Sequence, residues 1–264
     1  MLSKLFKKSA EEPEVYIISY PKTGRTWLRA LIGRCLTRKM NLSENRTLET
    51  GYLTAEAGFL RTNFIHDGSA LKENRSYLDL NSDKRSYKDK KVVLLSRDVK
   101  DTLVSAYFQA TKRIKVFNGP ISEFIRSDLY GVSRILRFYN IWFENHHVPK
   151  DLLFVTYEDL HRDTLATLES VMRFIGPNDI AGLDLEEAVE YCTFQNLRKA
   201  EAENRFESNL LRPKETSDAD SFKVRKGKVG NYLEYLSQND IEYIDEMIRK
   251  DDCDYTDYSV INRL

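Results

Sequence analysis

The amino-acid sequence predicts an α/β fold: a single domain with a central, mostly parallel sheet flanked by helices. Three observations point there. Residues 15–19, 91–96 and 152–157 are continuous apolar runs of strand length, as expected of strands buried on both faces. Stretches with helical spacing separate the runs, so strand and helix alternate along the chain. No internal repeat or low-complexity segment breaks that order.

The elements follow in sequence. After the first run, residues 26–38 place Trp27, Leu28, Leu31, Ile32 and Leu36 at helical spacing. Residues 39–62 are polar and weakly patterned, a loop with short helical pieces, and 63–66 offer a short strand end. The second run passes through Arg97-Asp98 into a helix over 100–112, and 120–147 supply a helical crossover to the third run. Glu158-Asp159-Leu160 then precede a helix over 164–175 that stops at Gly176-Pro177. Residues 185–200 are helical again. Residues 201–224 are polar, contain Pro213 and lack a period, which predicts a mobile loop or lid. Helical patterning resumes after Arg225-Lys226-Gly227-Lys228-Val229-Gly230 and runs to about residue 248.

The chain has 264 residues and is 41% hydrophobic, enough for one sizeable core; residues 1–13 read as a flexible tail and 14–264 as the domain. Its 41 basic and 41 acidic residues cancel, so nothing global selects nucleic acid as a partner and any anion site must be local. Cys35, Cys192 and Cys253 are odd in number, widely spaced and outside any CxxC pattern, which argues against a disulfide framework or structural zinc and for a reducing, cytoplasmic compartment. No apolar run reaches the length of a membrane span.

Chemistry concentrates where the strands end. Ligands of an open parallel sheet gather beyond the carboxyl ends of its strands. The first run ends in Ser19-Tyr20-Pro21-Lys22-Thr23-Gly24-Arg25-Thr26-Trp27 and leads straight into a helix. Free amides at a helix start, the positive end of its dipole and Lys22 together make an anion cradle. The loop is P-loop-like without being a triphosphate loop: Lys22 precedes the only glycine, no hydroxyl stands in register for magnesium, and Arg97 occupies the end of the second strand where a metal-binding aspartate would be needed. An anionic nucleotide bound without metal fits this pattern.

Here the residues resemble a family. YPKTGRTW is similar to the 5'-phosphosulfate loop, commonly YPKSGTTW, of sulfotransferases that use 3'-phosphoadenosine-5'-phosphosulfate (PAPS). LLSRDVKDTLVSAYF, residues 94–108, resembles their 3'-phosphate element, and RKGKVGNYLEYL, residues 225–236, resembles the RKG-x-x-G segment that closes over the nucleotide. The three occur in the family's order and span most of the chain. The resemblance implies that Lys22 contacts the 5'-phosphosulfate and that Thr23, Gly24, Arg25 and Thr26 bind its phosphate. It sets Trp27, Tyr157 and Phe194 near the adenine, and gives the 3'-phosphate to Arg97, Ser105, Arg225, Lys226 and Gly227. Cys192-Thr193-Phe194 stands where the family has Thr-Ser-Phe. His66 matches the family's catalytic base, with Phe64 in place of a lysine that helps stabilise the sulfuryl group and Asp67-Gly68 in place of Leu-Pro.

The implied reaction moves a sulfuryl group from PAPS to a hydroxyl, or secondarily an amine, of a small molecule, carbohydrate or lipid headgroup. The product would be 3',5'-adenosine bisphosphate (PAP), and no metal is required. His66 would take the acceptor's proton, Lys22 would stabilise the leaving phosphate, and Ser105 would restrain Lys22 until the acceptor arrives. Two other readings stay open: a nucleotide-dependent kinase with a divergent loop, disfavoured by the displaced lysine and missing metal ligands, and a nucleotide-binding module without catalysis. His146 and His147 read as helix C-terminal residues and His161 as surface; Phe108, Phe117 and Tyr139 are candidates for an apolar acceptor pocket or for core. The acceptor and the oligomeric state are not readable from the sequence.

Overall fold

Four parallel strands form one sheet in the order β2-β1-β3-β4, with β1 Val15–Ser19, β2 Thr62–Ile65, β3 Lys91–Ser96 and β4 Asp151–Thr156. The structure, a computed structural model, describes residues 12–177, 180–213, 215 and 217–251. Most of the N-terminal tail, Cys253 and the end of the chain lie outside the described residues. Register places Ile17 of β1 between Phe64 of β2 and Val93 of β3, and Leu94 of β3 beside Phe154 of β4. Successive residues of a strand point to opposite faces. Ile17, Val93, Leu95 and Val155 therefore enter one core, while Ile18, Val92, Leu94 and Phe154 enter the other. Burial on both faces is why these runs are apolar throughout.

Helices α1 (Arg25–Lys39), α2 (Thr50–Glu56), α6 (Tyr157–Arg162), α7 (Thr164–Ile175), α8 (Leu185–Tyr191) and α9 (Phe194–Ala202) contribute to the first core. Helices α3 (Val99–Phe108), α4 (Ile121–Arg126), α5 (Val132–Glu144) and α10 (Gln238–Lys250) build the second. No helix among the described residues is long and apolar enough to cross a membrane.

Several predicted helices are divided, each for a local reason. The stretch 185–200 breaks at Cys192-Thr193 because the Thr193 side chain accepts from Asn196 N and starts α9 anew. After β4, Thr156 caps α6 and Asp163 caps α7, so Glu158-Asp159-Leu160 belong to a helix of their own. The crossover 120–147 divides at Gly131, where a Cβ would stand 2.4 Å from Ile125 O. The helix over 100–112 begins at Val99 and widens into a π turn over Gln109–Arg113, a form that tends to occur at functional sites. Of the predicted loop 201–224, the first two residues close α9 and the described remainder has only short 3-10 turns, yet Phe206, Leu211 and Phe222 are buried.

Gly33 shows how closely α1 is pressed against its neighbours. A Cβ there would meet Thr47 O at 1.7 Å, a backbone atom that cannot step aside. Gly→Ala inside a helix ordinarily stabilises by about 1 kcal/mol. At Gly33 the sign reverses: Gly33→Ala is expected to lower unfolding stability by about 3 kcal/mol through overpacking, measured by urea titration. A stability gain would refute this account.

Candidate active site

The carboxyl ends of the strands open into a cavity of about 510 Å³ lined by loops from every strand and by the segment after residue 222, within the ordinary size of a ligand pocket. Its lining includes seven Lys or Arg side chains, Lys22, Arg25, Lys72, Arg97, Lys223, Arg225 and Lys226, and no carboxylate.

At the end of β1 the backbone turns through left-handed conformations at Lys22 (φ 76°) and Gly24 (φ 94°) before α1 begins. A lysine in that region is uncommon and marks a functional turn. Gly24 is required twice, by its φ and because a Cβ would lie 2.5 Å from the Tyr157 ring. Thr23 is buried and its hydroxyl donates to Tyr20 O at 2.9 Å, so the side chain secures the loop and only its amide is left for a ligand. The α1 start has no side-chain cap and no acidic residue in its first turn. Its free amides and dipole therefore suit an anion from outside. Among the described residues Lys22 Nζ has no hydrogen-bond partner. Its pKa is held well below the usual lysine value, first by burial and then by Lys223 and Arg113.

At the end of β3, Arg97 lies over the Tyr157 ring at 4.2 Å, donates to Lys228 O at 3.0 Å and pairs with Asp101 at 3.4 Å. Its Nε is buried without a partner. Ser105, two turns further along α3, lines the same wall. Asp101 is fully buried and also accepts from Gly230 N at 2.8 Å and Tyr232 N at 3.0 Å, which ties the C-terminal segment to α3. Within that segment Gly227 has φ 62° and presents no Cβ to the Phe194 ring, 2.2 Å from where one would stand. Arg225 covers the Phe108 ring at 4.1 Å and donates to Tyr235 Oη at 2.8 Å; Lys226 pairs with Glu234 at 3.0 Å.

Trp27, Tyr157 and His161 form a ring cluster at one end of the cavity, with centroids 4.7 to 5.8 Å apart. Trp27 Nε1 donates to Cys192 O at 3.0 Å. His161 is exposed, as read from the sequence, yet it stands at the cavity rim.

At the end of β2, His66 Nδ1 donates to Ser19 O at 2.8 Å, since a carbonyl can only accept; Nε2 therefore accepts from Arg25 Nη2 at 2.7 Å. Burial first, then Arg25, pushes its pKa down to about 3. Asp67 faces the other way, holding Lys84 Nζ and Tyr87 Oη at 2.7 Å each, and so anchors the His66 turn from below. Lys223, also drawn into the cleft, has its pKa lowered to about 7 by burial, Arg113, Arg25 and Arg29. Glu201, fully buried, is the carboxylate that offsets this group.

All the catalytic and nucleotide-binding residues named from the sequence line the cavity except Thr23. Sequence reasoning missed Asp101, Glu201, Arg113 and Lys223. Only Asp101 carried a signal, its spacing of four from Arg97 on a helix. Tyr139 donates to Leu95 O in the core, and Phe117 packs on Tyr107, Phe124 and Tyr130; with Phe108 they lie outside the lining. Ala70, Leu71, Ile114 and Val224 supply the apolar surface instead.

The residues fit PAPS on this structure's own terms: a carboxylate-free cationic lining, unpartnered nitrogens on Arg25 and Arg97, and glycines where a Cβ would fill the cradle. A family model described as "Sulfotransferase domain" matches residues 12–255. Flavonol 3-sulfotransferase of Flaveria bidentis is 26% identical over 258 residues, covering 90% of this chain and 81% of the relative. Cytosolic sulfotransferase 17 of Arabidopsis thaliana is 27% identical over 270 residues, covering 94% and 76%. Among solved structures, retinol dehydratase in complex with androsterone and the inactive cofactor PAP superposes with a TM-score of 0.61 at 17% identity, covering 91% of this chain and 81% of that one. Mouse sulfotransferase SULT7A1 complexed with PAP gives 0.60 at 22% identity, covering 92% and 85%. The chain belongs to the sulfotransferase domain family, and is an enzyme of the class that transfers a sulfuryl group from PAPS.

Proposed function

We propose that this enzyme sulfates a hydroxyl group of a small organic molecule by in-line transfer, with His66 as base and Lys22 on the leaving phosphate. The observation that carries the reading is the cavity lining of seven basic side chains and no carboxylate, with a neutral histidine among them. When bound, the nucleotide supplies the sulfuryl group: the acceptor oxygen's bond to sulfur forms as the bond from sulfur to the 5'-phosphate oxygen breaks, its electron pair staying on the phosphate.

The chain's residues do the rest. Lys22, Thr26 and the free amides at the α1 start hold the 5' end; Arg97, Ser105, Arg225, Lys226 and Gly227 hold the 3'-phosphate; Trp27, Tyr157 and Phe194 embrace the adenine. Ser19 O fixes the His66 tautomer, so the Nε2 lone pair is the proton acceptor. Its depressed pKa keeps the imidazole neutral at working pH, and a bound anion raises its basicity where the proton arrives. Positioning supplies most of the acceleration.

Ala70, Leu71, Ile114 and Val224 favour an acceptor with an apolar body, consistent with small hydroxylated molecules named for relatives such as flavonol 3-sulfotransferase. A carbohydrate, a lipid headgroup or an amine ranks below it. Segment 201–224 acts as a cover whose end, Lys223 and Val224, reaches the site. The free thiols of Cys35 and Cys192 suit a reducing cytoplasm.

Three measurements test this reading. Metal-free PAP is expected to raise the melting temperature more than Mg-ATP does; stabilisation by Mg-ATP alone would overturn it. His66→Ala is expected to lower kcat by roughly a hundredfold or more while PAP affinity is kept; unchanged turnover would exclude His66 as base. Lys22 and Lys223 have lowered pKa values that a bound anion raises, so PAP binding at pH 8 should take up protons. Calorimetry in buffers of different ionisation enthalpy reads this directly, and net release would contradict it.

A further inference from the structure

Arg25 occupies an unfavourable place. It opens α1, at the end where the helix dipole repels a cation, and Arg29 lies one turn further along the same face. Burial, then Arg29, lowers its pKa to about 9. One guanidinium nitrogen, Nη2, donates to His66 Nε2 at 2.7 Å; the other, Nη1, is buried with no partner among the described residues. The contact has a chemical cost, because it occupies the one lone pair with which His66 can accept a proton. Its cationic neighbours have other commitments. Arg29 lies 4.3 Å over the Phe64 ring, and Lys223 Nζ donates to Leu210 O at 3.0 Å. Phe64, two residues before His66 in the strand, contributes no charge. Arg25 is thus the cation in direct hydrogen-bond contact with His66 and has donor capacity to spare.

We propose that Arg25 caps His66 in this structure and, when PAPS binds, turns its guanidinium to the sulfuryl oxygens, so that donor binding itself uncovers the base. The inference rests on the donor assignment above. Its consequence is an ordered site: with PAP, which lacks the sulfuryl group, Arg25 stays on His66; with PAPS it leaves. The charge that stabilises the group in transfer comes from the nucleotide loop.

The test compares PAPS and PAP binding without acceptor, by calorimetry, in the wild type, Arg25→Gln and Arg25→Lys. Arg25→Gln is expected to weaken PAPS roughly tenfold or more, the size of a lost charge-assisted hydrogen bond, and PAP by less than about threefold; Arg25→Lys should restore part of the PAPS affinity. Retained PAP binding shows that the variant is folded. Equal weakening of both nucleotides, or of neither, overturns the proposal, whereas a wild-type enzyme that binds neither overturns the donor assignment instead. In ring-nitrogen NMR spectra of the wild type, assigned with His66→Gln, PAPS should shift the His66 Nε2 signal well beyond the shift that PAP causes. An equal shift with PAP would also overturn it.

Discussion

Two fully buried carboxylates hold the active edge together. Asp101 accepts the amides of Gly230 and Tyr232 while pairing with Arg97; Glu201 accepts the amides of Lys223 and Val224 while pairing with Arg113. Between these pins runs the segment 223–232, which has little regular structure of its own and forms one wall of the cavity. Carboxylates are expensive to bury, and these are retained because each is met by an arginine and by two backbone donors at once. Remove either and a cation is left buried without its partner, and the wall loses its attachment to the sheet.

Their negative charge is placed behind the cavity wall, not in it. The lining is left with basic side chains and no carboxylate, and burial first, then neighbouring cations, lower the pKa values of Lys22, Arg25, Lys223 and His66 together. A fold optimised only for stability would have neutralised this group. Its persistence is the electrostatic imprint of an anionic ligand, and the absence of a lining carboxylate explains why a phosphosulfate suits the site better than a nucleotide held through metal ligands.

Most of the sheet was legible because strands buried on both faces must be apolar at every position, a signal that needs no knowledge of neighbours. β2 was harder: as an edge strand of four residues with Asn63 exposed, it barely rises above the loop around it. The helix divisions at Thr193 and Gly131 depend on a cap and on a close backbone approach, both weak in a linear pattern. The nucleotide loop was legible because Lys22 and Gly24 stand between an apolar strand and a helix start, and the RKG segment was legible through its resemblance to the family's motif. Lys223, Arg113 and Glu201 were not, because a charged residue in a polar stretch looks alike whether it points to water or into a cleft.

The sequence by itself determined the parallel sheet, the anion loop at the end of β1 and the arginine at the end of β3, since each is written in contiguous residues whose local physics is self-contained; the RKG segment was read through its resemblance to the family. Tertiary structure alone decided the rest: that Asp101 clamps a segment about 130 residues away, and that Asp67 braces the His66 turn through Lys84 and Tyr87. It also brought Arg25 against His66, 41 residues away in the chain. Those choices depend on which strand ends lie side by side in the order β2-β1-β3-β4, and spacing along a chain does not encode proximity across a sheet.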